Sequence, residues 1–240
     1  MAVLDNPLAV PALVILVLVF AAIGLTFIFQ KKASNSTYLV LGPTDAGKTA
    51  LFTRLRYNKR TPTITSMKEN EAILELVNDD GTPITKKPIQ LIDVPGHERL
   101  RFRYTDFLPI TRGVIFVVDS TTIGRSARST AEYLYDVLAN QHTSKSNIPI
   151  LVACNKTDLF TALPTSKIQT LLEAEINRLR ATKSAAVEQQ ESSGETMSEY
   201  LGYEGQDFKF EHLENDVTLA GCSVENGDLK CVTEWIADLS

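Results

Sequence analysis

The chain has 240 residues, 24 of them basic and 29 acidic, and a formal net charge of −5, which argues against a general nucleic-acid binder. Its three cysteines, Cys154, Cys222 and Cys231, are few, odd in number and set in apolar surroundings, so they suit reduced core thiols better than a disulfide framework, and no Cys-x-x-Cys metal spacing occurs. No internal repeat is visible, and apart from one apolar run the chain has the composition of a single compact domain with a good-sized core.

That run, Leu8 to Phe29, holds 22 residues without a charged side chain. At 1.5 Å per residue it covers ~33 Å, enough to cross roughly 30 Å of hydrocarbon, and the pattern predicts a transmembrane helix rather than a cleaved signal peptide. Pro11 falls in the first turn, where a missing N–H is tolerated. Lys31 and Lys32 follow the run and no basic residue precedes it, so the positive-inside rule predicts a lumenal tail at 1–7 and everything after the helix in the cytosol. Residues 30–36 are a short linker of at most ~25 Å, and 37–240 form the cytosolic domain. Neither the Met1-Ala2 start nor the Ala237-Asp-Leu-Ser240 end carries a lipidation signal.

Thr37 to Leu41 reads as a short apolar strand, and a helix is predicted from Gly47 to about Tyr57. Between them stands Gly42-Pro-Thr44-Asp45-Ala46-Gly47-Lys48-Thr49, followed by Ala50. Strand, glycine loop and helix are the setting in which backbone N–H groups at a helix start wrap phosphates, a lysine reaches the β and γ oxygens, and a threonine hydroxyl ligates Mg²⁺. Glu69 to Val77, the turn signal Asn78-Asp-Asp-Gly81 and Pro88 to Val94 read as a hairpin. Its second strand ends in Asp93-Val-Pro-Gly96, where a carboxylate can hold the Mg²⁺ shell and the Gly96 amide can sense a γ-phosphate.

Gly113 to Asp119 and Ile148 to Cys154 are continuous apolar runs of the kind found in central parallel strands. Helices are predicted at about Arg125 to Gln141, Lys167 to Ala181 and Leu229 to Leu239. Alternating strands and helices make an α/β fold with a doubly wound, mostly parallel sheet. After the second run comes Asn155-Lys156-Thr-Asp158. Asp158 can accept from guanine N1–H and the exocyclic amine, which adenine does not present, while Asn155 steadies the loop and Lys156 covers the base. Thr182 to Gln206 is polar and predicted to be a flexible surface insertion, the alternative being that Tyr200, Leu201 and Tyr203 dock on a partner. Gly221-Cys222-Ser223 is positioned to offer a backbone contact to the base.

Together Gly42-x₄-Gly47-Lys48-Thr49, Asp93-x₂-Gly96 and Asn155-Lys-x-Asp158 resemble the motifs of Ras-superfamily GTPases, with Pro62-Thr63-Ile64 nearest the Arf and Sar branch. Adding the amino-terminal anchor and Asp93-Val-Pro-Gly-His97-Glu-Arg-Leu-Arg101, the whole chain resembles the family of signal recognition particle receptor beta subunits. The resemblance implies a P-loop GTPase fold, GTP and Mg²⁺ as ligands, and residence in the endoplasmic reticulum membrane. It also implies a GTP-dependent partnership with the receptor alpha subunit, with the ribosome and translocon beyond it. Thr63 aligns as the switch threonine that closes over Mg²⁺, with Thr65 as the alternative, and His97 stands where Ras-like proteins carry the water-orienting glutamine.

Thr44 occupies a loop position where fast hydrolysers have glycine, so slow hydrolysis is expected. Arg99, Arg101 and Arg103 read first as a solvated switch face; the alternative is that, with Phe102, Tyr104 and Phe107, they form a nucleotide-dependent docking surface. Two other readings are an Arf- or Sar-like trafficking enzyme, which a permanent anchor disfavours, and a docking scaffold that keeps its GTP.

Overall fold

The computed structural model describes residues 36–77, 81–188 and 201–240, with the backbone alone over 184–188. The predicted span at 8–29, the linker to residue 35 and the predicted turn at 78–80 lie outside the described residues. Among the described residues no helix is long and apolar enough to cross a membrane.

Six strands form one sheet in the order β2-β3-β1-β4-β5-β6. They are β1 (Thr37–Leu41), β2 (Asn70–Leu74), β3 (Ile89–Asp93), β4 (Thr111–Asp119), β5 (Ile150–Asn155) and β6 (Val217–Gly221). Only β2 runs antiparallel, as the outer arm of the hairpin with β3. The remaining neighbours are parallel. Flanking them are α1 (Lys48–Tyr57), α2 (Ile123–Leu138), the short α3 (Gln141–Lys145), α4 (Thr165–Glu188) and α5 (Lys230–Leu239).

Period-two alternation in β1 divides the core. Leu39 and Leu41 face one layer with Ile92, Phe116 and Val152, covered by Leu134 of α2 and Ile168, Leu172 and Ile176 of α4. Tyr38 and Val40 face the other, with Leu91, Ile115 and Val117, under Leu51 and Phe52 of α1 and Val232 and Ile236 of α5. Both faces being covered explains why β1 and β5 are buried at every position and read as unbroken apolar runs.

Beyond shifts of a few residues at strand ends, the elements differ from the sequence expectation at α2, at residues 101–110 and at α4. Helix α2 stops at Leu138 instead of running to Gln141, because Asn140 leaves the helical conformation and its side-chain oxygen accepts from the His142 N–H at 2.9 Å, starting α3. Residues Arg101–Ile110 form two successive 3₁₀ turns that lacked a clear periodic signal, held by burial of Tyr104 and Leu108.

Helix α4 continues to Glu188, into the stretch expected as an insertion, while residues 189–200 lie outside the described residues. The far side of that stretch is tied down: buried Arg180 donates to the carbonyls of Leu201, Tyr203 and Gln206, and Leu201 is itself buried. Tyr203 remains exposed.

Candidate functional site

The chain places its motifs where an open α/β sheet binds ligands, outside the carboxyl ends of the strands where connections leave in both directions. Strand β1 hands over to the 42–47 loop, β3 ends at Asp93, and β5 ends at Asn155. A cavity of about 590 Å³ lies there, lined by Thr44 to Ala50 except Ala46, by 63–66, and by Pro95, Gly96 and Lys156.

Backbone conformation explains the glycines of the loop. Gly42 has φ 137° and passes so close to the Val117 carbonyl that a β-carbon would overlap it. Gly47, at φ 95°, caps α1 without a side chain and leaves room for the Asn155 carboxamide. Asp45 also takes a left-handed conformation, at φ 63°. The loop thereby turns back toward the start of α1, whose unpaired N–H groups make an anion site.

Lys48 is 7% exposed, and its Nζ donates to the Pro43 carbonyl at 2.8 Å. Burial pulls its pKa below the ordinary lysine value, with the charges of Asp93 and Asp45 acting against that. Asp93 is fully buried and shifted the other way: burial raises its pKa, against hydrogen bonds from Thr49 and Asn70 and the Lys48 charge. Thr49 Oγ1 donates to Asp93 Oδ2 at 2.7 Å, whereas Asp93 Oδ1 is buried with no hydrogen-bond partner.

A buried ammonium short of anions and a buried carboxylate with an orphaned oxygen are each incompletely compensated by the protein. A phosphate chain at Lys48 and a hard divalent cation between Thr49 and Asp93 fit the two deficits, and hydroxyl with carboxylate is a donor set for Mg²⁺. Thr63 and Thr65 both line the cavity and are exposed. The hydroxyl brought against Thr49 is instead that of Ser66, at 3.0 Å, and Asn70 reaches both Ser66 and Asp93. Neither residue is singled out by the sequence; a polar side chain near the start of the predicted Glu69-to-Val77 strand is the available signal for Asn70.

At the other end of the site Asn155 is almost fully buried and double-bonded into place. Its Nδ2 donates to the Ala46 carbonyl at 2.9 Å, and its Oδ1 accepts from Val224 N at 3.1 Å. Lys156, left-handed at φ 65°, reaches Asp119 Oδ2 at 2.7 Å and the Asp45 carbonyl at 3.0 Å. Burial alone would raise Asp119, but hydrogen bonds from Lys156 and Thr121 outweigh it and hold the carboxyl below its usual range.

Asp158 is exposed and accepts from Ser223 Oγ at 2.6 Å. Cys222 and Ser223 use their own backbone N–H groups on Cys154 and Asp228 carbonyls. What this pair brings to Asp158 is therefore the Ser223 hydroxyl, together with the Cys222 carbonyl that anchors Thr157 at 2.9 Å.

His97 is exposed, does not line the cavity, and accepts the Arg99 N–H on Nδ1 at 3.2 Å. The arginine-rich face is only partly open. Arg101 contacts Asp136 at 3.5 Å and lies over the Tyr133 ring, Arg103 pairs with Glu69 at 2.9 Å, and buried Tyr104 donates to the Asp136 carbonyl. Phe107 is packed against the core. Arg99 and Phe102 remain exposed, along with Ile64 and Met67 on the neighbouring segment.

Comparison with known proteins agrees with this geometry. A family profile described as signal recognition particle receptor beta subunit matches residues 33–217. The signal recognition particle receptor subunit beta of Rattus norvegicus is 36% identical over 98% of this chain and 88% of its own length. Among solved structures, that of the mammalian signal recognition particle receptor is 36% identical over 85% of this chain and all of the matched chain, with a TM-score of 0.73. The receptor complex SRb-GTP/SRX from Chaetomium thermophilum is 29% identical over 84% of this chain and 97% of its own, with a TM-score of 0.63. This chain belongs to the family of signal recognition particle receptor beta subunits, small GTP-binding GTPases.

Proposed function

We propose that the chain is the membrane-anchored subunit of a signal recognition particle receptor, which binds GTP and, in that state, holds the receptor alpha subunit at the endoplasmic reticulum for co-translational protein targeting. The observation that carries this reading is the gathering of a phosphate loop, a buried carboxylate and Asp158 at the carboxyl ends of β1, β3 and β5, in a chain similar to receptor beta subunits over nearly its whole length.

In this reading residues 8–29 span the membrane, the tail 1–7 is lumenal, and 37–240 work in the cytosol close to the bilayer, with the polar stretch around 189–200 as a loop. The backbone of 44–50 and the Gly96 amide surround the phosphates, Lys48 offsets their charge, and Asp158 reads guanine. Thr49, Asp93 and Thr63 hold Mg²⁺. When bound, Mg²⁺ neutralises charge on the β- and γ-phosphate oxygens.

In hydrolysis a water attacks the γ-phosphorus, the bond to the β-phosphate oxygen breaks, and GDP and phosphate leave. His97 orients that water only if it leaves Arg99 and turns toward the cavity, a rearrangement well suited to control by a partner. Thr44 adds a side chain at the cavity wall where the water must pass.

Intrinsic hydrolysis is therefore expected to be slow. A single-turnover rate for the isolated protein near the roughly 5 to 20 per second of stimulated GTPases would contradict this.

Ile64, Met67 and Phe102 lie on segments joined by the Arg103–Glu69 ion pair and supply exposed apolar anchors for the partner. Detergent-solubilised full-length chain loaded with GTP should retain the alpha subunit at least about tenfold better than the GDP form, a common size for coupling between sites. Equal retention in both states removes the switch from the proposal.

A further inference from the structure

We infer that Asn70 is a positioning residue for the metal end of the site, and that Ser66 is the hydroxyl through which the 62–66 segment responds to Mg²⁺. The inference rests on the guanine-nucleotide reading above. Asn70 opens β2, and the antiparallel register sets it opposite Asp93, the last residue of β3. Its single amide nitrogen serves two acceptors: Asp93 Oδ2 at 3.0 Å and Ser66 Oγ at 3.3 Å. Thr49 Oγ1 lies 2.7 Å from the same Oδ2 and 3.0 Å from Ser66 Oγ, closing a ring of four side chains.

Two consequences follow from the chemistry of the ring. Both donors converge on Oδ2, so Oδ1 is the carboxylate oxygen left with its lone pairs uncommitted. Asn70 thereby fixes the orientation in which Asp93 can serve a cation's shell, as outer-shell partners of metal ligands commonly do. In addition, Ser66 fastens the 62–66 segment to this ring through the Thr49 hydroxyl and the Asn70 amide. Thr63 and Thr65 are exposed at the cavity rim. The ring thus gives the segment a route of response to Mg²⁺ through Ser66 and Asn70, which a GDP-loaded chain can report.

The test measures release of a fluorescent GDP analogue from the full-length chain in detergent across free Mg²⁺ concentrations set by a chelator. Asn70→Ala should raise the Mg²⁺ midpoint for GDP retention by about tenfold or more, and Ser66→Ala should shift it in the same direction. Glu71→Ala, on the exposed face of the same strand, should leave it in place. A merely structural role for Asn70 would lower the thermal midpoint equally with and without Mg²⁺ and leave the Mg²⁺ dependence unmoved.

Should Asn70→Ala fold poorly, Asn70→Ser keeps a donor while shortening its reach and should give the same shift at smaller size. An unshifted midpoint in the folded variant, or an equal shift in Glu71→Ala, overturns the inference. Failure of the unaltered chain to retain the analogue at any Mg²⁺ concentration overturns the guanine-nucleotide reading itself, which is a distinguishable result.

Discussion

Asp158→Asn should weaken guanine nucleotide binding by roughly 10³-fold or more while admitting xanthine nucleotides. A charge-assisted hydrogen bond contributes about 1.5–3 kcal/mol, and sites built around such bonds reject a mismatched partner by about 10⁴ to 10⁵. Here Asp158 is already oriented by Ser223 Oγ on Oδ1. In the variant that hydroxyl can keep the amide oxygen, so the NH₂ group is presented to the base. Guanine then meets a donor with its own exocyclic amine, whereas xanthine offers a carbonyl at that position. Competition between GDP and XDP for a fluorescent nucleotide measures the exchange of preference. Undiminished guanine affinity would remove Asp158 from base recognition.

Replacing Asp93 with asparagine should separate stability from function in opposite directions. Burial holds the Asp93 carboxyl above its ordinary pKa, so its ionised form opposes folding. A carboxyl raised in this way gives its stabilising contribution below the unfolded pKa, about 3.9 for aspartate, and loses it as pH rises through the folded value. Nucleotide-free Asp93→Asn should therefore melt above the parent at neutral pH, with the gap narrowing as pH falls through the raised folded pKa and closed below about 4.

With GDP and Mg²⁺ present the order should reverse, because the neutral amide offers a cation no charge, and Mg²⁺-dependent retention should fall by about 10- to 100-fold or more. Thermal melts at several pH values, with and without ligand, read both effects. A variant that melts lower than the parent without nucleotide at neutral pH, or that keeps full Mg²⁺ dependence, contradicts the account.

What could be read from the chain depended on whether local pattern and tertiary packing asked for the same thing. β1, the glycine loop and α1 were legible because an apolar run, the Gly42-to-Thr49 spacing and a helix-forming stretch coincide within about twenty residues. The strands β4, from Gly113 onward, and β5 were legible because burial on both faces leaves an apolar run up to the polar strand end. The turns from Arg101 to Ile110 were not, since Tyr104 and Leu108 are fixed by partners distant in sequence, among them Asp136.

For the same reason three arginines in a row of alternating residues suggested one open surface, while packing turned Arg101 inward onto Tyr133. Ser66 and Asn70 were hard to read for a different reason: a hydroxyl and an amide carry no periodic signature, strand register alone brings Asn70 to Asp93, and Ser66 joins them through Thr49 and Asn70.

Asn155 ties together parts that are far apart along the chain, with one carboxamide face on the phosphate loop at Ala46 and the other on the Val224 backbone. Because one side chain holds both ends, Asn155 couples the phosphate loop to the 223–228 turn. By reciprocity, whatever prises the 223–228 turn loosens the grip on phosphate to the same degree that phosphate tightens the turn. A ligand that prised this turn would then promote nucleotide release from the base-proximal side of the site, without touching the 63–66 segment that lines the phosphate end.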